Sequence, residues 1–190
     1  MGSSRQALEG RVRIGKRTRQ LLCHFECPLA IAPRGFRTRE DTGFHRIGIG
    51  YDGGAESHAA LELAASIAVA AKAKLEVYAV VDDRMPPLGW SRFAHGGAEH
   101  PQWEDTVLAE IERRRTDTEG AAGATGATGR IEIRRGRPAA ALLELSEAVD
   151  LLVIGSRRWG PVSRLLLGST GEALLHDAAC PVLVVPRPPD

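Results

Sequence analysis

Beyond residue 44 the apolar positions switch repeatedly between two spacings. Short apolar runs fall at Arg46–Tyr51, Lys74–Val81, Asp150–Gly155 and Pro181–Val185, and Arg130–Arg135 alternates apolar with charged residues. Such runs of five to eight residues, rich in Val and Ile, predict strands. Between them lie segments with helical spacing. Residues 56–72 place Ala60, Leu63, Ala64, Ile67, Ala68 and Ala71 on one face, and Glu104–Thr116 does the same with Val107, Leu108 and Ile111. Pro138 suits the first turn of a helix running to about Val149, and Ser169–Ala178 predicts the last one. Met85–Gln102 has Pro, Gly, His and Trp90, with Trp103 just beyond, shows no periodicity and reads as a long loop. The tract Gly120–Gly129 is low in complexity and reads as flexible. Five strands alternating with helices require crossover connections. The expected fold is therefore α/β, a doubly wound, mostly parallel five-stranded sheet covered on both faces, in a domain of about 145 residues.

The first 34 residues repeat residues 154–187 at a constant offset of 153, with 11 identities and no gap, among them Gly2/Gly155, Ser3/Ser156, Gly15/Gly168, Leu22/Leu175, Cys27/Cys180 and Pro28/Pro181. Unrelated segments of this length would share about two residues, and similarity at a fixed period marks duplicated units. The chain thus reads as one whole domain, 45–187, a linker, 35–44, and before them the loop, helix and last strand of another copy, 1–34. A lone loop, helix and strand cannot form a sheet. Either a duplicated gene has been truncated or its start lies further upstream. The strand-like Pro28–Pro33 is too apolar to leave in water, and Pro181–Val185 would otherwise be an open sheet edge. Antiparallel pairing of Leu29–Ala32 with Val182–Val185 is expected, in one chain or between two, with a helix at about Gly15–Phe25 packing through Leu21, Leu22 and Phe25.

Composition adds bounds rather than a function. The chain has 190 residues, 43% hydrophobic and 26% charged, with a net charge of +1. That charge is uneven: residues 1–44 carry nine basic and four acidic side chains, so the remainder is acidic. A basic arm can touch nucleic acid, but no Tyr or Trp interleaves with these arginines, and a solvated helix face explains them better. Nucleic acid is not an expected partner, nor is a membrane, since the apolar stretches are too short to cross a bilayer. Three cysteines and no signal peptide argue for a reducing, cytoplasmic location. Cys23-His24-x2-Cys27 lacks the second ligand pair of a zinc site, and no metal is expected there.

In an open α/β sheet, ligands bind beyond the carboxyl ends of strands where the winding reverses. Two such ends carry chemistry. The first strand runs into Tyr51-Asp52-Gly53-Gly54-Ala55-Glu56-Ser57. The fourth runs into Gly155-Ser-Arg-Arg-Trp-Gly160, and the chain continues to Gly168-Ser169-Thr170 at a helix start. Free backbone N–H groups and the helix dipole make such a start an anion site. Arg157 and Arg158 add positive charge, and Asp52 suits sugar hydroxyls. Plain helix capping by Ser169 and a structural turn at Gly155–Gly160 explain the same residues without a ligand.

Gly155-x12-Gly168-Ser169, followed by Cys180-Pro-Val-Leu-Val-Val185, resembles the universal stress protein family, whose nucleotide signature is Gly-x2-Gly-x9-Gly-Ser/Thr. Ile47-Gly-Ile-Gly-Tyr-Asp52-Gly, Gly136-Arg-Pro-Ala and Asp150–Ser156 extend the resemblance over residues 45–187. It implies strand order 3-2-1-4-5 and pairing of domains through their last strands, hence a homodimer or pseudo-dimer. It implies a stress-response module that binds an adenine nucleotide, ATP with Mg2+, through Asp52 and the backbone at Val80 for the nucleoside. Gly155, Gly168, Ser169 and Thr170 would hold the phosphates. The sequence departs from the signature at its middle glycine, which is Arg158, with Gly160 two residues on. A side chain there either blocks the phosphate or donates a charge-assisted bond to it. The alternative function is a dimerisation or adaptor unit without nucleotide. No general base, nucleophile or metal cluster supports turnover beyond slow ATP hydrolysis, and no catalytic residue is assigned. Asp52-Gly-Gly-Ala-Glu-Ser57 also resembles the loop of ATP pyrophosphatases, but both acidic positions differ, and an aspartate aimed at pyrophosphate would repel it. His95 and His100, with Trp90 and Trp103, sit in the long loop and read as a lid or as a variable surface loop.

Overall fold

A computed structural model describes residues 1–22, 27–36, 43–81, 129–158, 165, 166 and 168–186, with Arg157, Arg158, Leu165 and Leu166 described by their backbone. The elements are α1 (Lys16–Leu22), β1 (Leu29–Ile31), β2 (Arg46–Tyr51), α2 (Ala55–Ala71), β3 (Lys74–Val81), β4 (Gly129–Arg135), α3 (Pro138–Ser146), β5 (Leu151–Gly155), β6 (Arg157–Arg158), β7 (Leu165–Leu166), α4 (Ser169–Asp177) and β8 (Val182–Val185). Six strands form one sheet in the order β1-β8-β5-β2-β3-β4. The five of the main domain are parallel and follow the expected 3-2-1-4-5 order, and only β1 runs antiparallel. The readings at 85–102, 104–116 and most of 120–129 lie outside the described residues. Gly129 belongs to β4 rather than to the tract before it, opposite Leu75.

Each face of the sheet buries its own cluster. Ile47, Ile49, Val77, Leu151 and Val153 meet the alanine-rich stripe of α2, Ala60, Ala64, Ala65 and Ala68. Small side chains on that stripe bring the helix close to the sheet. On the other face Leu152, Ile154, Val182 and Val184 pack with Leu142 and Leu145 of α3 and Leu174 and Leu175 of α4. Strand residues alternate between faces, so a continuous apolar run feeds both clusters at once. α3 ends at Ser146, three residues short of the expected Val149. Ser146 Oγ donates to the Leu143 carbonyl at 2.6 Å and accepts the Ala179 amide at 3.0 Å. That side-chain bonding, carried by a residue that competes with backbone pairing, accompanies the stop.

The N-terminal segment enters the second cluster. Val12, Ile14, Leu22 and Ile31 are buried against Leu174, Leu175 and Val182. β1 pairs antiparallel with β8 in the register Leu29↔Val184, Ala30↔Leu183 and Ile31↔Val182, as expected for Leu29–Ala32. The helix contact differs. Thr18 and Leu22, one turn apart, face inward, while Leu21 is 38% exposed and Phe25 lies outside the described residues. Among the described residues, no helix is long and apolar enough to cross a membrane.

Candidate functional site

β2 sits between β3 and β5, and the chain winds outward from β2 in opposite directions, to β3 and β4 on one side and to β5 and β8 on the other. The reversal therefore falls between β2 and β5. Asp52 follows the carboxyl end of β2, and Gly155 ends β5. Val80 lies one residue past the last β2–β3 pair, Tyr51↔Ala79. α4 returns the chain from β5 to the parallel strand β8, so its N-terminus, Ser169 after Gly168, is at this same end of the sheet. Asp52, Val80, Gly155, Gly168, Ser169 and Thr170 thus share one rim.

Several of these residues have local work to do. Asp52 is exposed, and its Oδ1 accepts the Gly54 amide at 3.0 Å, closing a turn in which Gly53 has φ +79°. An L-residue with a side chain rarely adopts that φ, so glycine is required where β2 turns into α2. Gly155 is bound by packing: a Cβ there would lie 2.6 Å from the Glu56 carbonyl oxygen in the first turn of α2. The glycine lets helix and strand approach, whatever it does for a ligand. Tyr51, buried under α2, places its hydroxyl 3.0 Å from His58 Nε2, with the two rings edge to face at 5.2 Å.

The N-terminus of α4 opens on this rim. Gly168 caps it with extended backbone, φ −65° and ψ 170°, and, being glycine, brings no side chain to the amides of the first turn. The capping role read for Ser169 is not seen, because Ser169 is the first helical residue and Gly168 the cap. Ser156, one residue past Gly155, is 1% exposed, and among the described residues its Oγ has no hydrogen-bond partner. Its repeat equivalent is satisfied: Ser3 Oγ donates to the Ala32 carbonyl at 2.7 Å and accepts the Arg13 amide at 3.1 Å. A buried hydroxyl without a partner costs about 1 to 3 kcal/mol, which marks the position. Sequence reasoning passed over Ser156, although the Ser3/Ser156 identity was available as a signal.

Two residues of the Gly155–Gly160 stretch, read from the sequence as a turn, are a strand. Arg157 and Arg158 form β6 and pair antiparallel with Leu165 and Leu166 of β7. The backbone at Arg158 is therefore paired with that at Leu165 in a short antiparallel ladder. Gly160 and the Cys23–Glu26 part of the cysteine–histidine motif lie outside the described residues. Among the described residues, no three His, Cys, Asp or Glu side chains come together as a metal site.

Residues 43–186 match the family model described as the universal stress protein family. A universal stress protein of Mycolicibacterium smegmatis is 32% identical over 138 residues, which are 72% of this chain and 46% of that protein. The chain thus spans about half the length of that relative. One of Thermus aquaticus is 31% identical over 145 residues, 75% of this chain and 98% of its own length. A solved universal stress protein in complex with cAMP is 28% identical with a TM-score of 0.53, covering 77% of this chain and all of that one.

Proposed function

The chain belongs to the universal stress protein family, and from that premise we propose that it is a regulatory module binding an adenine nucleotide, ATP, across the carboxyl ends of β2 and β5. The observation that carries the reading is the start of α4, whose glycine cap brings no side chain to its amides, at the same rim as the buried hydroxyl of Ser156, which lacks a partner among the described residues. Amide donors and a helix dipole favour an anion there. The relative solved with cAMP supports an adenine nucleotide as the ligand class.

In this reading the Asp52 carboxylate accepts from ribose hydroxyls and the Val80 backbone meets the base. The amides of Gly168, Ser169 and Thr170 cradle the phosphates, with Gly155 keeping α2 close enough to wall the cleft. Mg2+ enters with the nucleotide, held mainly by phosphate oxygens and water, as is usual for this cation. When bound, it would neutralise phosphate charge. In this reading the residues bind and position the nucleotide, and the function is binding and signalling.

A second reading, an adaptor domain without nucleotide, is favoured by two observations. Arg158 stands where the signature has glycine, and Gly155 is already explained by its contact with Glu56. Equilibrium binding of a fluorescent ATP analogue, with competition by ATP and cAMP, separates the two. Saturable binding that disappears in Gly168→Trp and survives a tryptophan in the 120–128 tract is the expected result. Absence of saturable binding in the wild type would leave the adaptor reading. Arg158→Gly then reports the role of the arginine: tighter binding means obstruction, and weaker binding means that it is a phosphate ligand.

A further inference from the structure

The repeat offset and the tertiary contacts describe one pseudo-two-fold axis. At the offset of 153, Ala30 is the equivalent of Leu183, and these two residues face each other in the β1–β8 ladder. Leu29↔Val184 and Ile31↔Val182 are then the same pair seen from its two ends. The helices obey the same axis. Arg19 on α1 is the equivalent of Glu172 on α4, and their side chains meet, Nη1 to Oε1 at 2.6 Å. Arg19 Nη2 also lies 3.2 Å from His176 Nε2. The segment even repeats an internal pairing of the domain: Gly2↔Ala32 bridges in parallel, as Gly155↔Val185 does.

A residue on a two-fold axis faces itself when two identical copies pair. Across this edge a second complete domain would set Glu172 against Glu172. Residues 1–34 instead set Arg19 against it. We propose that residues 1–34 fill the β8–α4 edge as a built-in half of a two-fold pair, and that Arg19 at the axis selects this partner over a second copy of the domain. The partner this surface fits is a short helix followed by an antiparallel strand, with a cation at the position facing Glu172. Burial of Val12, Ile14, Leu22 and Ile31 supplies the adhesion, and the axial charge supplies the choice.

Disulfide trapping tests the choice, because the axis makes the two outcomes chemically distinct. In a full-length background with Cys23, Cys27 and Cys180 replaced by alanine, Leu183→Cys can bridge only to its own copy in another molecule. Ala30→Cys with Leu183→Cys can bridge within one chain. The expected result is an internal bridge in the double variant and almost no covalent dimer in Leu183→Cys alone. Arg19→Glu makes both pairings like-charged, so the Leu183→Cys dimer should rise about fivefold, the size of a surface ion pair. Arg19→Glu with Glu172→Arg restores an opposite pair inside the chain and should return the dimer to its original level. That restoration also shows that Arg19→Glu acts through charge and not through misfolding. A Leu183→Cys dimer as abundant as the internal bridge would overturn the built-in pairing. A dimer yield unmoved by Arg19→Glu, or not restored by the charge swap, would overturn the selection by charge.

Discussion

Gly155 shows how one residue serves both packing and a candidate site. Its missing side chain admits the Glu56 carbonyl of α2. Gly155→Ala therefore puts a methyl group against backbone that cannot swing away, and overpacking of this kind costs about 1 to 3 kcal/mol. Urea unfolding of the variant should show that loss with or without nucleotide. A loss seen only when ATP is present would mean that the glycine serves the ligand alone. Gly168 is the opposite case, a cap at the rim, and Gly168→Trp should lose binding while keeping most of the stability. Ser156 completes the set. Ser156→Ala removes a buried hydroxyl without a partner, so the ligand-free protein should be as stable as the wild type or slightly more so. If the hydroxyl serves the nucleotide, binding should weaken, which the same titration reads.

At the scale of elements, the edge strand β4 is tied to its neighbours by charge. Glu132 accepts from Arg134, which also reaches Glu144 of α3 at 2.9 Å and lies over the Tyr78 ring at 5.1 Å. The hydrogen bond from Arg134, joined by one from Tyr78, holds the Glu132 carboxyl below its ordinary range, against the opposing effect of burial. A carboxyl with a depressed native pKa stabilises the fold above its unfolded value, and the contribution disappears as pH falls through the native one. Glu132→Gln should thus cost about 1 to 2 kcal/mol near neutral pH. The variant and wild-type stabilities should converge in acid. Tyr78 acts at the other end of the scale. Burial, then its bond to Glu132, raises its pKa above 10.0, so its contribution is complete below that value and fades as pH climbs past it. A pH series of thermal unfolding for Glu132→Gln, with a constant difference down to strong acid, would show that the network carries no linked proton.

Across the whole molecule, the first 34 residues are part of the core and not an appendage. Ile31 is completely buried, in the same cluster as Leu174, Leu175 and Val184. Ile31→Ala should cost about 2 to 5 kcal/mol, as in other cores, in one cooperative unfolding transition. A loss below about 1 kcal/mol would mean that the segment sits loosely on an otherwise complete domain. Ligand linkage works at this scale too. ATP at about 100 times its dissociation constant should add about 2.7 kcal/mol to stability, readable as a rise in the unfolding midpoint that Gly168→Trp abolishes.

Hydrophobic spacing, by itself, determined the strands of the main domain to within a residue or so, because burial on both sheet faces forces near-continuous apolar runs in the inner strands and the edge strand β4 keeps a two-residue alternation. The offset repeat determined that residues 28–33 are a strand in need of an edge, since that segment is too apolar for water and too short for a sheet. Spacing could not say which residues of α1 face inward. Thr18 and Leu22 won over Leu21 because the helix direction is set by Val12 and Ile14, whose amides bond the Ala178 and Leu175 carbonyls before the helix begins. Nor could spacing reveal that the glycine at 155 admits a helix, or that Ser156 is left without a partner. Both depend on what the fold brings alongside them. The meeting of Arg19 with Glu172 is the clearest case: each is an ordinary surface charge in the sequence, and only the two-fold geometry of the packed edge places them face to face.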